Sequence, residues 1–216
     1  PKSDFTAIIL AVPSDGTKHR YKSLLDFAWR FYGHEIKAPM TADELYRLSI
    51  AYCRFLYQKE KDGFAGFTMG SQWHPHVTCY RKTEHRYEIG WVGQSASASN
   101  TLLYEYLRSG DEDAYEKASM CLDAWPKYTK LDGVEGLVQI KFDGAPIDQT
   151  REIPIDACNL GQGAVQYFLA ADLMEKCGTP RPEYIDYAMG MVNFVVSRQL
   201  ESGEFAKSWN KDGSVR

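Results

Sequence analysis

The chain has 216 residues, 44% of them hydrophobic, enough to bury a core in one large domain or two small ones. A formal charge of −4 and a pI near 5.8 argue against a nucleic-acid surface. No apolar run approaches the roughly 18 residues that a membrane span requires, so no membrane partner is expected. Fourteen Tyr and five Trp supply rings of the kind that fill large cores or line clefts.

Taken in order, the chain opens with "FTAIILAVPSDG", an apolar strand pattern that ends at Asp15-Gly16. Helical periodicity follows at about 19–33 and 41–59. Gly33 stops the first, and Thr41 with Glu44 three residues on forms a capping box for the second. "DGFAGFTMG" then reads as a short strand closed by turn residues. The next two helices are expected at 94–109 and 111–126, separated by Gly110, with Asp111 and Glu112 favouring the second one's first turn. "DGVEGLVQIKFDG" is a second strand-like run, ending at Asp143-Gly144. The last two helices are expected at 157–177 and 182–200. Gly178 stops the former, and Pro182 with Glu183 opens the latter. "SGEFAKSWNKDG" closes the series at Asp212-Gly213.

These segments align as a repeat of helix, short loop, helix and β-hairpin, recurring at roughly 65–73 residues. Three units are expected, at about 17–70, 90–144 and 155–213, in one partial domain spanning 1–216. A unit of this size cannot bury its own apolar face, so neighbouring units must pack together. The chain reads as three consecutive units of a longer array, and homo-oligomerisation or an exposed apolar patch is expected at the cut edge. Cys53, Cys79, Cys121, Cys158 and Cys177 contain no CxxC, and their odd number fits a reducing, cytoplasmic setting.

One motif recurs inside the repeat. In "YEIGWVGQ" and "IDACNLGQ" an acid, Glu88 or Asp156, stands six positions before a Gln, Gln94 or Gln162. Gly93 or Gly161 precedes each Gln, and a helix follows. Such residues either cap and pack the helices or present polar groups to a ligand. The other dense stretch holds Trp73, His74, His76, Tyr80, His85, Tyr87 and Trp91, a candidate stacking platform with histidines as hydrogen-bonding partners. His74 and His76 lack a clear third ligand, so no metal is expected. Phe205, Trp209 and Asn210 are candidates for a rim. "GQGAVQYF" lacks the strand and spacing of a dinucleotide loop, so no cofactor is expected. Ser95, Ser97 and Ser99 read as a small-residue helix start rather than as nucleophiles.

Helix pairs of this length, separated by β-hairpins and with Gly-Gln opening alternate helices, resemble the (α/α)6 toroid of the six-hairpin glycosidases. The resemblance spans nearly the whole chain as architecture, while the Gly-Gln motif is not a signature of one family. It implies a mainly α fold, a partial toroid of three antiparallel helix pairs, with 94–109 and 157–177 as adjacent parallel inner helices. It also implies a carbohydrate ligand in a funnel at the inner-helix N-termini, and Asp156 and Glu88 as the acid and base, or nucleophile, of a glycoside hydrolase on a polar or uronic oligosaccharide. Trp91, Gln94, Gln162, Asn159, Trp73, His74 and His76 would then contact the sugar. Asp132, Glu135, Asp143, Asp148 and Glu152 are further acids on the same face. A non-catalytic sugar-binding or scaffold domain is the alternative, and an isoprenoid-cyclase-like toroid a weaker one.

Overall fold

The computed structural model describes residues 21–33, 39–83, 86–90, 94–128, 140–142, 155–210 and 212–216. The expected first strand, His85, Trp91, Gly93 and the acids Asp132, Glu135, Asp143, Asp148 and Glu152 lie outside the described residues. The chain divides into two compact units, Pro1–Ala42 and Asp43–Arg216. In the first, helix α1 (Tyr21–Tyr32) stacks Phe27 on Phe31 at 5.5 Å between ring centroids, with Tyr32 edge-on to Phe31 at 5.0 Å.

The second unit takes in helix α2 (Ala42–Leu56) from Asp43 onward, and this helix runs directly into strand β1 (Tyr57–Lys59). The expected extension of this helix to 59 is therefore cut short. Tyr57–Lys59 turns back to pair with β2 (Ala65–Phe67), which satisfies its backbone in a ladder instead of a helix. A second hairpin follows, β3 (Ser71–His74) with β4 (Cys79–Lys82). Then come β5 (Arg86–Glu88), α3 (Ser95–Ser109), α4 (Glu112–Tyr128), β6 (Ile140–Phe142), β7 (Ile155–Asp156), α5 (Ala157–Lys176), α6 (Glu183–Val196) and β8 (Ser208–Trp209).

Local chemistry sets the helix ends. Gly110 caps α3 in the left-handed region at φ 73°, and its N–H donates to Tyr106 O at 2.7 Å. One residue later Asp111 accepts from Ala114 N at 3.1 Å, opening α4. That backbone bond, with Arg54 beside it, holds the Asp111 carboxyl below its ordinary range. So short a link forces α3 and α4 to be antiparallel. The rings of Tyr106 and Tyr115 lie 4.9 Å apart near the link, and Cys121 Sγ lies 3.9 Å from Ser95 O at the other end. The second pair repeats this. Gly178 takes φ 78° after α5, and Thr179 N donates back to Met174 O at 3.0 Å. Tyr167 of α5 meets Tyr187 of α6 at 4.6 Å and Tyr184 at 5.4 Å.

The two pairs lie side by side with α3 and α5 parallel. At their N-terminal ends Gly90 contacts Asn159, and further on Asn100 Nδ2 donates to Gln166 O at 2.9 Å. At the far end Tyr115 OH donates to Thr179 Oγ1 at 2.8 Å. Within this unit the mainly helical arrangement is that of a partial (α/α) toroid, with α3 and α5 as neighbouring inner helices. Among the described residues no helix is long and apolar enough to cross a membrane.

Among the described residues β1–β2 and β3–β4 form the short antiparallel hairpins expected between helix pairs, here between α2 and α3. β5 pairs with β6, and β7 with β8, each across a whole helix pair. The physical reason is that an antiparallel helix pair returns the chain beside its own start. The strand leaving the pair then satisfies the strand entering it. Trp209, expected at a rim, is fully buried and meets Phe194 edge-on at 5.4 Å, because β8 alternates a half-buried Ser208 with an inward Trp209. Its neighbour Phe205 is exposed.

The core centres on rings. Phe64 touches Tyr87 at 5.0 Å, Trp125 at 5.4 Å and Tyr128 at 6.1 Å, all edge-on. Tyr87 donates to the buried Glu60, and burial, with that bond, pushes its phenol well up. Val165, Phe168, Ile185, Met189 and Val196 of α5 and α6 remain exposed.

Between α2 and α3 lies a charged cluster. Glu105 accepts from Arg108 Nη2 at 2.9 Å and Nε at 3.0 Å, from Tyr46 OH at 2.5 Å and from Ser109 Oγ at 3.1 Å. The Arg108 bonds above all, then those of Tyr46 and Ser109, lower its pKa from an ordinary 4.5 to about 2. A carboxylate depressed on folding contributes stability that is complete above its unfolded pKa and lost as pH falls through the folded one. Wild-type stability should therefore decline between pH 4.5 and about 2. Glu105→Gln should be less stable at neutral pH and show a flatter acid limb in urea titrations across that range.

Candidate functional site

The described surface carries a cleft of about 390 Å³ between the first turns of α3 and α5. Ile89, Gly90, Gln94 and Ser97 line one wall, and Gly161, Gln162, Val165 and Gln166 the other. Its position follows from the parallel inner helices, which leave a groove where their N-terminal turns diverge around a loop.

That loop is locked onto α5. Gly90 N donates to Asn159 Oδ1 at 3.2 Å. A Cβ built on Gly90 would stand 2.6 Å from Asn159 O and 3.1 Å from Gly163 N, so only glycine fits against the helix backbone. Beside it, Ile89 packs where a Cβ on Gly163 would meet its Cγ2 at 3.1 Å. On the α3 side, Ala96 N donates to Ile89 O at 3.3 Å and Ser95 Oγ to Phe67 O at 2.8 Å. The small residues at the start of α3 thus buy close approach, with Ser95, Ala96 and Ser99 all buried.

Gln94 stands at the opening of α3 with φ 42° and ψ 34°, a left-handed conformation that non-glycine residues rarely adopt. Its N–H donates to Gly90 O at 3.0 Å and its carbonyl accepts from Ala98 N at 2.9 Å. Its side chain makes no capping bond and faces the cleft. Gln162, its counterpart in the repeat, lies in the first turns of α5 on the facing wall. The structure therefore brings together the two glutamines of the recurring motif.

The other site candidates fall elsewhere. Asp156 is the N-cap of α5, its Oδ1 accepting from Asn159 N at 2.9 Å. Glu88 is 4% exposed on β5, immediately before the loop that lines the cleft. Neither carboxylate is among the lining residues. Asn159 is buried and joins α5 to Gly90. Trp73, His74 and His76 sit on the β3–β4 hairpin, all exposed, with Trp73 edge-on to Tyr80 at 5.2 Å. Among the described residues no group of three or more His, Cys, Asp or Glu could hold a metal.

Gly161 departs from expectation. It is helical, and a Cβ there would meet nothing within 4 Å, so it is neither a sharp turn nor a packing contact. The packing glycines are Gly90 and Gly163. Ser97, Val165 and Gln166 were not foreseen as lining residues. They lie three or four positions after Gln94 and Gln162, and that spacing, which puts residues on one helical face, is the signal that identifies them. The described lining residues supply amides, a hydroxyl, two aliphatic side chains and two glycines, and none of these described residues is ionisable. These groups can hydrogen-bond neutral polar groups and pack their apolar faces.

No protein-family model matches the chain, and no curated protein does. A solved structure of a D-mannose isomerase aligns with 83% of this chain and 60% of its own, at 11% identity and a TM-score of 0.34. The chain thus spans less than two thirds of that protein.

The glycine geometry makes opposite forecasts for two neighbouring positions. Gly90→Ala forces a methyl into backbone and should cost about 1–3 kcal/mol in urea unfolding. Gly161→Ala replaces a mid-helix glycine facing open space and should raise stability by about 0.5–1 kcal/mol.

Proposed function

We propose that this chain is the carbohydrate-binding part of an (α/α) toroid and that the cleft between α3 and α5 takes a neutral sugar. The observation that carries this reading is the lining itself, with Gln94, Ser97, Gln162 and Gln166 around Gly90 and Gly161. A planar amide has one acceptor and two donors in fixed geometry, so it can accept from one hydroxyl and donate to the next oxygen of a vicinal diol. Two glutamines from equivalent points of the repeat offer this grip from opposite walls. Ile89 and Val165 add apolar surface for the C–H face of a pyranose. A uronate would set its carboxylate against described lining residues that carry no cation, so neutral sugars fit these residues better than uronic ones.

Hydrolysis is the second reading. It is favoured by the placement of Asp156 at the head of α5, which bears Gly161 and Gln162, and of Glu88 next to Ile89 and Gly90. Glycoside cleavage would need these two carboxylates to reach the scissile bond as proton donor and as base or nucleophile. Binding stands ahead of it because the described lining residues supply amides and a hydroxyl and include neither Glu88 nor Asp156.

Titration calorimetry of the chain against maltose, cellobiose, mannobiose, xylobiose and digalacturonate tests the first reading. At least one neutral disaccharide should bind, digalacturonate should bind more weakly, and Gln162→Ala should weaken the neutral ligand by about 3- to 10-fold. Binding of digalacturonate alone, or of none of the five, would refute it. For the second reading, Asp156→Asn in the full-length protein should lower glycoside turnover by about 10²–10⁴-fold while preserving the fold, since Asn caps a helix as well as Asp does. Unaltered turnover in this variant and in Glu88→Gln would exclude those carboxylates from the chemistry.

A further inference from the structure

Gln94 is a non-glycine residue in a conformation that suits glycine. Its backbone bonds, from N–H to Gly90 O and from Ala98 N to its carbonyl, are ones that glycine would make equally well. Its side chain adds nothing to the helix as a cap, and it lines the cleft. Glycine would relieve the clash between Cβ and the backbone that makes left-handed conformations costly for other residues. An amide kept at that cost, and directed at a concave polar surface, indicates a use outside the fold.

Resting on the sugar-binding reading above, we infer that Gln94 is a specificity-determining residue, held in a strained backbone so that its amide grips a vicinal diol opposite Gln162. A residue with ordinary helical φ at this position would swing its side chain away from the direction that the left-handed backbone fixes. The first turn of α3 continues the same wall one step later with Ser97, whose hydroxyl extends the row of hydrogen-bonding groups. The facing wall has no equivalent strain, because Gln162 sits within the regular helix α5 and already points into the groove. The repeat therefore places two like side chains across one cleft by different backbone means.

The test compares Gln94→Gly, Gln94→Asn and Gln94→Ala with wild type in two assays. The first is the urea midpoint. The second is affinity for the neutral disaccharide that wild type binds most tightly among the four named above, together with its analogue lacking one hydroxyl of a vicinal pair. Gln94→Gly should raise the urea midpoint, lower affinity for the disaccharide by about 3- to 10-fold and lose most of the preference over the deoxy analogue. Gln94→Asn, whose amide tolerates the left-handed region better, should raise the midpoint and keep part of the preference. Gln94→Ala should lose the preference without a gain in stability, since it keeps the Cβ. A Gln94→Gly protein that binds and discriminates as wild type does would overturn the inference while leaving the sugar-binding reading intact. An unchanged or lower midpoint in Gln94→Gly would equally overturn it, because no strain would then be stored there. A wild type that binds none of the neutral disaccharides defeats the sugar-binding reading itself, and the inference with it.

Discussion

The contact of Gly90 with the first turns of α5 is the constraint on which the second unit's organisation rests. One glycine sets the separation of α5 from the loop ahead of α3, because its hydrogen takes the place of a methyl that would lie 2.6 Å from a carbonyl oxygen. The same residue donates its N–H to Asn159, and its carbonyl accepts from Gln94 N. It therefore ties together strand β5, the opening of α3 and the opening of α5. The parallel setting of the inner helices, the groove between them and the left-handed start of α3 all pass through this point. Asn159 completes the lock from the other side, its buried amide oxygen held by Gly90 while its own N–H is held by Asp156. A chain of backbone and side-chain bonds thus runs from the cap of one inner helix to the start of the next.

Around this lock the two helix pairs are stabilised by different chemistry on their two flanks. Toward α6 the contacts are rings, with Tyr167 between Tyr184 and Tyr187 and its hydroxyl donating to Leu122 O at 2.7 Å. Full burial pushes the Tyr167 phenol well up, so it remains a neutral donor. Toward α2 the contacts are charged, through Glu105 with Arg108 and Tyr46, and Asp111 with Arg54. At the site, by contrast, the described polar side chains are uncharged and line a groove.

Much of the architecture was legible in the residues. Gly110 and Gly178 marked helix ends because a left-handed cap needs glycine, and Asp111 and Pro182 marked the starts that follow. Periodicity located α3 to α6 to within a few residues. The strand pairing was not legible, since a short run such as Ser208–Trp209 carries no mark of whether its partner is adjacent or lies before a helix pair. In the site, the recurrence of Gln94 and Gln162 was visible, and both line the cleft. The roles of the glycines were not, because a Gly-Gln pair looks the same whether its glycine faces space, as Gly161 does, or backbone, as Gly90 does. Asp156 and Asn159 looked like sugar contacts by residue type, and their local bonds are those of a helix cap and a loop anchor.

The most direct measurement is a crystal structure of the chain grown with the tightest-binding neutral disaccharide. One sugar ring should occupy the groove between α3 and α5, with hydroxyl oxygens within hydrogen-bonding distance of the side-chain amides of both Gln94 and Gln162. A disaccharide seated instead on the exposed rings of the Trp73–Tyr80 hairpin, with the groove holding only solvent, would contradict it.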